Sequence, residues 1–333
     1  MTETDTKAEE LEQTPVVHVA PGPHLSNTAL TTRGMMTDVL IALLPVLAVA
    51  AVVFRWYLLK QLGICVVSCM AAEAIFTGMR GRRPRLGDCS AAVTGAILAL
   101  SLPATAPWHV GVIGSFVAIG LGKAVFGGLG ANIFNPAMVG RAFVMIAFPA
   151  LLGAGGYVAA GGWAEVVSQA TPMTDFKENA LVTPLWELIL GTTNGSLGET
   201  SAIACIIGGA YLCLRRTASW EIPLGVIAAA GAIAGVDNLL HPAAEWTALH
   251  HLAGGALLFG AFFIATDPVT SPLTRRGKLI FGAGVGALVM IMRLLSGYPE
   301  GVMFSVLLMN ALVPLINRWT VPRPVGGPTP KEE

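Results

Sequence analysis

Ten predominantly apolar stretches, each about the length a helix needs to cross a hydrocarbon core, recur along almost the whole chain. They run roughly 37–54, 58–78, 89–103, 108–126, 137–153, 200–214, 219–236, 249–266, 279–296 and 301–317. A chain that crosses lipid must satisfy its backbone groups internally, which here means helices. Composition agrees: 54% of the 333 residues are hydrophobic and 12% charged, whereas roughly a quarter are charged in a soluble domain. The expected fold class is an all-α polytopic integral membrane protein with about ten transmembrane helices. A single transmembrane domain over 34–318 carries an N-terminal tail (1–33) and a C-terminal tail (319–333). The stretch 89–103 is short and reads as a broken or tilted helix. Met1 to Gln13 is acidic and polar, unlike a cleavable signal peptide.

Cations near helix ends are retained on the cytoplasmic side. Ten crossings put both termini on one side. With that side cytoplasmic, 15 Lys and Arg fall in inner segments, among them Arg80, Arg82, Arg83, Arg85 and Lys123. Only 3 fall outside, Arg55, Lys60 and Lys177, while Arg141 and Arg293 lie within helices. Both termini are therefore expected in the cytoplasm.

That orientation places the longest loop, 154–199, outside, with Glu165, Asp175, Glu178, Glu187 and Glu199 against one lysine. Leu181 to Leu190 is too short to cross and reads as a helix at the interface, anchored by Trp186. The same loop holds the polar string Ser168-Gln169-Ala170-Thr171-Pro172-Met173.

Three longer strings carry a family resemblance: Gly-Leu-Gly-Ala-Asn-Ile-Phe-Asn-Pro-Ala (128–137), Ala-Thr-Asp-Pro-Val-Thr-Ser-Pro-Leu-Thr-Arg-Arg-Gly (265–277) and Gly-Tyr-Pro-Glu-Gly-Val-Met-Phe-Ser-Val-Leu-Leu-Met-Asn (297–310). In this order, over about residues 20–320, the chain resembles the RnfD components of Rnf complexes, ion-translocating ferredoxin:NAD oxidoreductases. That family is related to the NqrB component of the sodium-translocating NADH:quinone reductase. The resemblance implies a six-subunit assembly in a bacterial inner membrane, with the 154–199 loop on the periplasmic side. It also implies FMN joined through its phosphate to a threonine in a Ser/Thr-x-Ala-Thr motif, attached by a flavin transferase. Ser168, Ala170 and Thr171 match that motif, so Thr171 is the expected flavinylated residue, on an exposed loop that a modifying enzyme can reach. A small alanine beside it leaves room for the flavin phosphate.

Thr200 is the competing threonine. Its alternatives are a helix start, where Glu199 suits the positive end of the dipole, or a flavin contact through free N–H groups. In the family a riboflavin-type, non-covalent second flavin also binds this component. Asn132, Asn135 and Asp267 are the candidates to line it, since amides both donate and accept. The other reading is that they satisfy the backbone of interrupted helices, as the prolines at 136, 268 and 272 suggest. Asn135-Pro136 and Asp267-Pro268 each follow an outside-to-inside crossing and read as internal counterparts; residue identity between the halves is too sparse to establish a repeat, and at most a weak inverted repeat is expected.

Ionisable residues inside crossings default to functional hypotheses. Glu73, Arg141 and Arg293 qualify, and Glu73 is expected to snorkel toward the Arg80–Arg85 cluster. Cys65, Cys69, Cys89, Cys205 and Cys213 form no CxxC pair, and His250-His251 has no third ligand nearby, so no metal site is expected and the histidines read as interfacial anchors. Gly282-Ala283-Gly284-Val285-Gly286 lies in an apolar helix, where glycine means close helix packing and not a nucleotide fingerprint. Hydride chemistry with NAD is left to partners, and no nucleic-acid partner is expected. Two functions follow: a flavin-bearing electron carrier in a redox-driven sodium or proton pump, or a passive channel or secondary transporter prompted by Asn-Pro-Ala at 135–137.

Overall fold

The computed structural model describes residues 31–82, 86–152, 171–179, 181–191, 193, 195–199, 201–242, 245–296 and 301–322. Among these the protein is helical, and each of the ten apolar stretches contains helix. Five helices are long and apolar enough to cross a membrane: α1 (Thr32–Phe54), α2 (Trp56–Met79), α10 (Glu221–Leu240), α13 (Arg275–Leu295) and α14 (Val302–Thr320). The remainder are shorter. They are α3 (Ser90–Ser101), α4 (Trp108–Ile119, prolonged by a wide turn over Gly120–Ala124), α5 (Pro136–Ala147), α6 (Pro149–Leu152), α7 (Pro172–Asn179), α8 (Leu185–Leu190) and α9 (Ala202–Leu214). The eighth stretch is broken into α11 (Ala248–Ala253), α12 (Leu257–Phe259) and a second wide turn, Gly260–Ile264.

The third stretch ends inside the molecule. Past Ser101 its chain is met by the loop before α9, where Gly198 N–H donates to Leu100 O at 2.7 Å and Leu197 N–H to Leu102 O at 3.3 Å. Those bonds occupy carbonyls that a broken helix would otherwise leave bare in an apolar interior. Both wide turns are π-type, closed by Val125 N–H to Gly120 O at 3.0 Å and Ala265 N–H to Gly260 O at 2.8 Å. Such turns often lie at functional sites, and each leads into a loop holding candidate residues.

Packing recurs along the chain. α2 packs on α4 and α4 on α5; five stretches later α10 packs on α13 and α13 on α14. By that pairing the loop after the fourth stretch has its counterpart after the ninth, not the eighth. Asn135 and Asp267 are thus neighbours in one site instead of repeat-equivalent positions. α1 lies along α9, where Asp38 accepts from Thr217 Oγ1 (2.8 Å), Tyr211 Oη (3.2 Å) and Arg215 Nε (3.3 Å).

The α10–α13 contact is the most extensive of all, and the 282–286 glycines explain it. A Cβ at Gly282 would overlap the Ile222 carbonyl and one at Gly286 the Val226 carbonyl. The close-packing reading of this string therefore holds. Gly286→Val is expected to cost about 1–3 kcal/mol through overpacking, read as a lower melting temperature of the detergent-solubilised protein. Outward faces carry large apolar residues such as Val52, Leu59, Val67 and Leu214, a surface suited to lipid or partner helices.

Candidate functional site

Asn132, Asn135 and Asp267, far apart in sequence, border one pocket. Its floor is apolar, with Val39 of α1, Ile97 of α3, Leu212 of α9 and Phe263 of the second wide turn. Asn135 caps α5: its Oδ1 accepts from Met138 N–H at 3.3 Å, and Pro136 takes the first helical position, where no N–H is needed. Its Nδ2 reaches across to the Ile264 carbonyl at 3.3 Å. Asn132 donates to Phe134 O at 3.2 Å, while its Oδ1 is buried with no hydrogen-bond partner among the described residues. A buried acceptor left over beside a cavity fits a ligand N–H.

Asp267 accepts from Val269 N–H at 3.1 Å and from Thr270 Oγ1 at 3.2 Å. Burial pushes its carboxyl above the ordinary carboxylate range, and those two bonds oppose the shift.

Sequence reasoning missed the residue that joins the two loops. Asn310 of α14 is 1% exposed; its Oδ1 accepts from Asn135 N–H at 3.1 Å and its Nδ2 donates to Thr270 O at 3.0 Å. The signal was present, because a lone asparagine in an apolar helix needs partners. Asn310→Leu strands the Asn135 donor and the Thr270 acceptor. At about 1–3 kcal/mol for each buried orphan, we expect a drop in melting temperature together with loss of whatever the cavity binds.

A second, polar cavity adjoins the first, with Lys123 and Leu129 bordering both. Lys123, counted above with the inner-side cations, is buried, and Glu73 does not snorkel toward the arginine cluster. The Lys123 Nζ lies 2.7 Å from both Glu73 carboxylate oxygens and 2.7 Å from Ser90 Oγ. Ser90 Oγ donates in turn to Asp88 Oδ1 at 2.8 Å. The wide turn carries Lys123 inward, where an unpaired ammonium would be far costlier than the bridge.

The two arginines inside apolar helices also find partners. Arg141 lies 3.7 Å from Glu199. Arg293 donates to the carbonyls of His251 and Gly254, the latter at 3.0 Å, supplying the donors that the break after α11 requires. His250 and His251 are buried against Trp246, not surface anchors; Thr247 N–H donates to His250 Nδ1 at 3.1 Å. Trp186 of α8 is 59% exposed while Leu188 is buried, an amphipathic arrangement.

Thr171 lies just before α7 and is 5% exposed, so its side chain is enclosed where an open loop hydroxyl was expected. The reason is capping: Oγ1 accepts from Thr174 N–H at 3.2 Å and lies 2.9 Å from Thr174 Oγ1. Ser168, Ala170 and Thr200 lie outside the described residues.

Comparison with known proteins matches the same stretches. The family model described as NQR2, RnfD, RnfE spans residues 18–326. The chain is 41% identical over 323 residues to the RnfD-type component of the ion-translocating oxidoreductase complex of Stutzerimonas stutzeri, covering 88% of this chain and 91% of the relative. It is 39% identical to the corresponding component of the sodium-translocating ferredoxin:NAD oxidoreductase complex of Acetobacterium woodii, covering 95% and 97%. It is 35% identical to the proton-translocating counterpart of Clostridium ljungdahlii, covering 92% and 96%. These relatives are all named as subunits of oxidoreductase complexes. With the matched stretches forming one buried site and the match running nearly end to end, the chain belongs to the NQR2, RnfD, RnfE family.

Proposed function

We propose that this chain is a membrane-embedded electron carrier in a redox-driven ion pump. FMN is joined by a phosphodiester to Thr171 on the outer side, and a second, non-covalent flavin of riboflavin type sits in the cavity under Asn132, Asn135 and Asp267. The observation that carries the reading is convergence: two stretches far apart in sequence form one cavity, and Asn310 locks them together. When bound, the flavins supply the electron chemistry; the protein positions and tunes them. Asn132 Oδ1 is the acceptor available to a ring N–H. Lys123 offers positive charge at the cavity border, held in place by Glu73 and Ser90.

Thr171 suits a phosphodiester for a second reason. A phosphate there keeps anionic oxygens at the start of α7, the positive end of the helix dipole. Because the hydroxyl is enclosed, the transferase must act before α7 docks or while its first turn is open.

On this reading ten crossings place both termini in the cytoplasm and the 154–199 loop on the periplasmic side of a bacterial inner membrane. The five-stretch offset in packing is then an inverted repeat, since five is odd. Electrons pass between partner subunits of a six-subunit assembly, coupling ferredoxin and NAD chemistry to sodium or proton movement; the relatives' names favour this over a channel or secondary transporter. Mass spectrometry of peptides from the 154–199 loop tests it. The expected adduct has the mass of FMN less water on Thr171; an adduct on Thr200, or none, overturns the assignment.

A further inference from the structure

Four polar residues form the wall between the two cavities. Ser90 and Lys123 border the pocket of Asn132, Asn135 and Asp267, while Glu73, Asp88 and Lys123 border the polar cavity. Of this hydrogen-bonded string, only Lys123 borders both. The polar cavity is reached by water, since Arg80, Arg82 and Gly127 on its border are exposed. The pocket on the other side is lined largely by apolar side chains, and Ser90 and Lys123 are each 3% exposed. A negative charge added to a ligand there is far costlier than in water. The cost falls when a proton follows the charge.

We propose that Lys123 passes protons from the polar cavity to the flavin of the pocket as that flavin is reduced, with Glu73 restoring the proton to Lys123; this rests on the second, non-covalent flavin of the proposed function. Each electron reaches the pocket from a partner subunit. Lys123 gives up one proton, an N–H bond breaking at Nζ and a new one forming at a ring nitrogen, so the pocket gains one electron and one proton. Glu73 then takes a proton from water in the polar cavity and hands it to the neutral amine, from which both its carboxylate oxygens lie 2.7 Å away. Ser90 and Asp88 position the donor. Ser90 Oγ lies 2.7 Å from Nζ and donates to Asp88 Oδ1 at 2.8 Å, which keeps the ammonium at the wall instead of out among Arg80 and Arg82. Lysine suits the task, because a buried ammonium releases its proton readily whereas a guanidinium stays charged. A pair that served stability alone needs no contact with either cavity; this one separates them.

The test uses the purified full chain carrying Thr171→Ala, so that the flavin it holds is the pocket flavin, reduced by dithionite in a stopped-flow cell. Bleaching of the flavin reports the electron, and the absorbance difference between the anionic and the neutral reduced ring reports the proton. With Lys123 in place the neutral ring should appear as fast as bleaching proceeds. Lys123→Arg keeps the counter-ion of Glu73 and loses the transferable proton, so the neutral ring should lag by about 10²-fold, the lower end of what a positioned proton donor contributes. Should Lys123→Arg fail to fold, the double variant Lys123→Met with Glu73→Gln carries the same lag. Formate, a small weak acid that can enter the polar cavity, should shorten that lag where chloride does not. A neutral ring that keeps pace in Lys123→Arg, a ring that stays anionic with Lys123 in place, or a lag in the double variant that formate leaves unchanged overturns the proton route alone. A Thr171→Ala chain that purifies without flavin absorbance overturns the reading of the pocket itself.

Discussion

Lys123→Met is expected to destabilise the protein by about 3–5 kcal/mol, because it leaves the Glu73 carboxylate buried without its counter-ion. Both partners are largely hidden, with side-chain exposures of 4% for Lys123 and 13% for Glu73. The ammonium is also the donor to both Glu73 oxygens and lies beside Ser90, so its loss breaks the chain running to Asp88. Adding Glu73→Gln to Lys123→Met removes the stranded charge and should recover most of the loss, since replacing a whole buried pair is often close to neutral. Thermal unfolding of the two variants in detergent separates the cases. Equal destabilisation of the single and double variants would show that the pair is not coupled.

If Thr171 carries the proposed FMN, Thr171→Ala should abolish ion-coupled electron transfer through this chain while costing little in stability. The structural part is a lost cap, about 1 kcal/mol, visible as a small drop in melting temperature. The functional part, on the proposed reading, is the loss of the FMN attachment point. Thr171→Ser keeps both the cap and a hydroxyl and should retain the fold, whereas the alanine complex should fall to the background of membranes lacking the chain. The assay is ferredoxin-dependent NAD reduction in membrane vesicles, paired with ion uptake.

Much of the fold was legible because apolar length is a strong signal: each apolar stretch contains helix. Breaks within stretches were less so. The shortness of 89–103 announced an interruption, but the division of 249–266 at Gly254-Gly255 and the wide turn at Gly260–Ile264 did not show in hydropathy, since both sides of the break are apolar. Site residues split the same way. Asn132, Asn135 and Asp267 stood out through the strings that carry the family resemblance, while their meeting at one pocket is tertiary. The burial of Lys123 was not legible because a cation close to a helix end reads as solvated, and only the partner Glu73, 50 residues away, reveals it. Asn310 was hidden by ending a long motif in an apolar helix, its two bonds being tertiary. The enclosure of Thr171 was out of reach for the same reason: it follows from the capping bond to Thr174 and the packing of α7, not from the Ser-Gln-Ala-Thr string.

The proposed covalent flavin at Thr171 is read most directly on a denaturing gel of the complex viewed under ultraviolet light. The predicted result is a fluorescent band at the 34.6 kDa of this chain that vanishes in Thr171→Ala and persists in Thr200→Ala. A dark band in the unaltered chain, or fluorescence that survives Thr171→Ala, would contradict it.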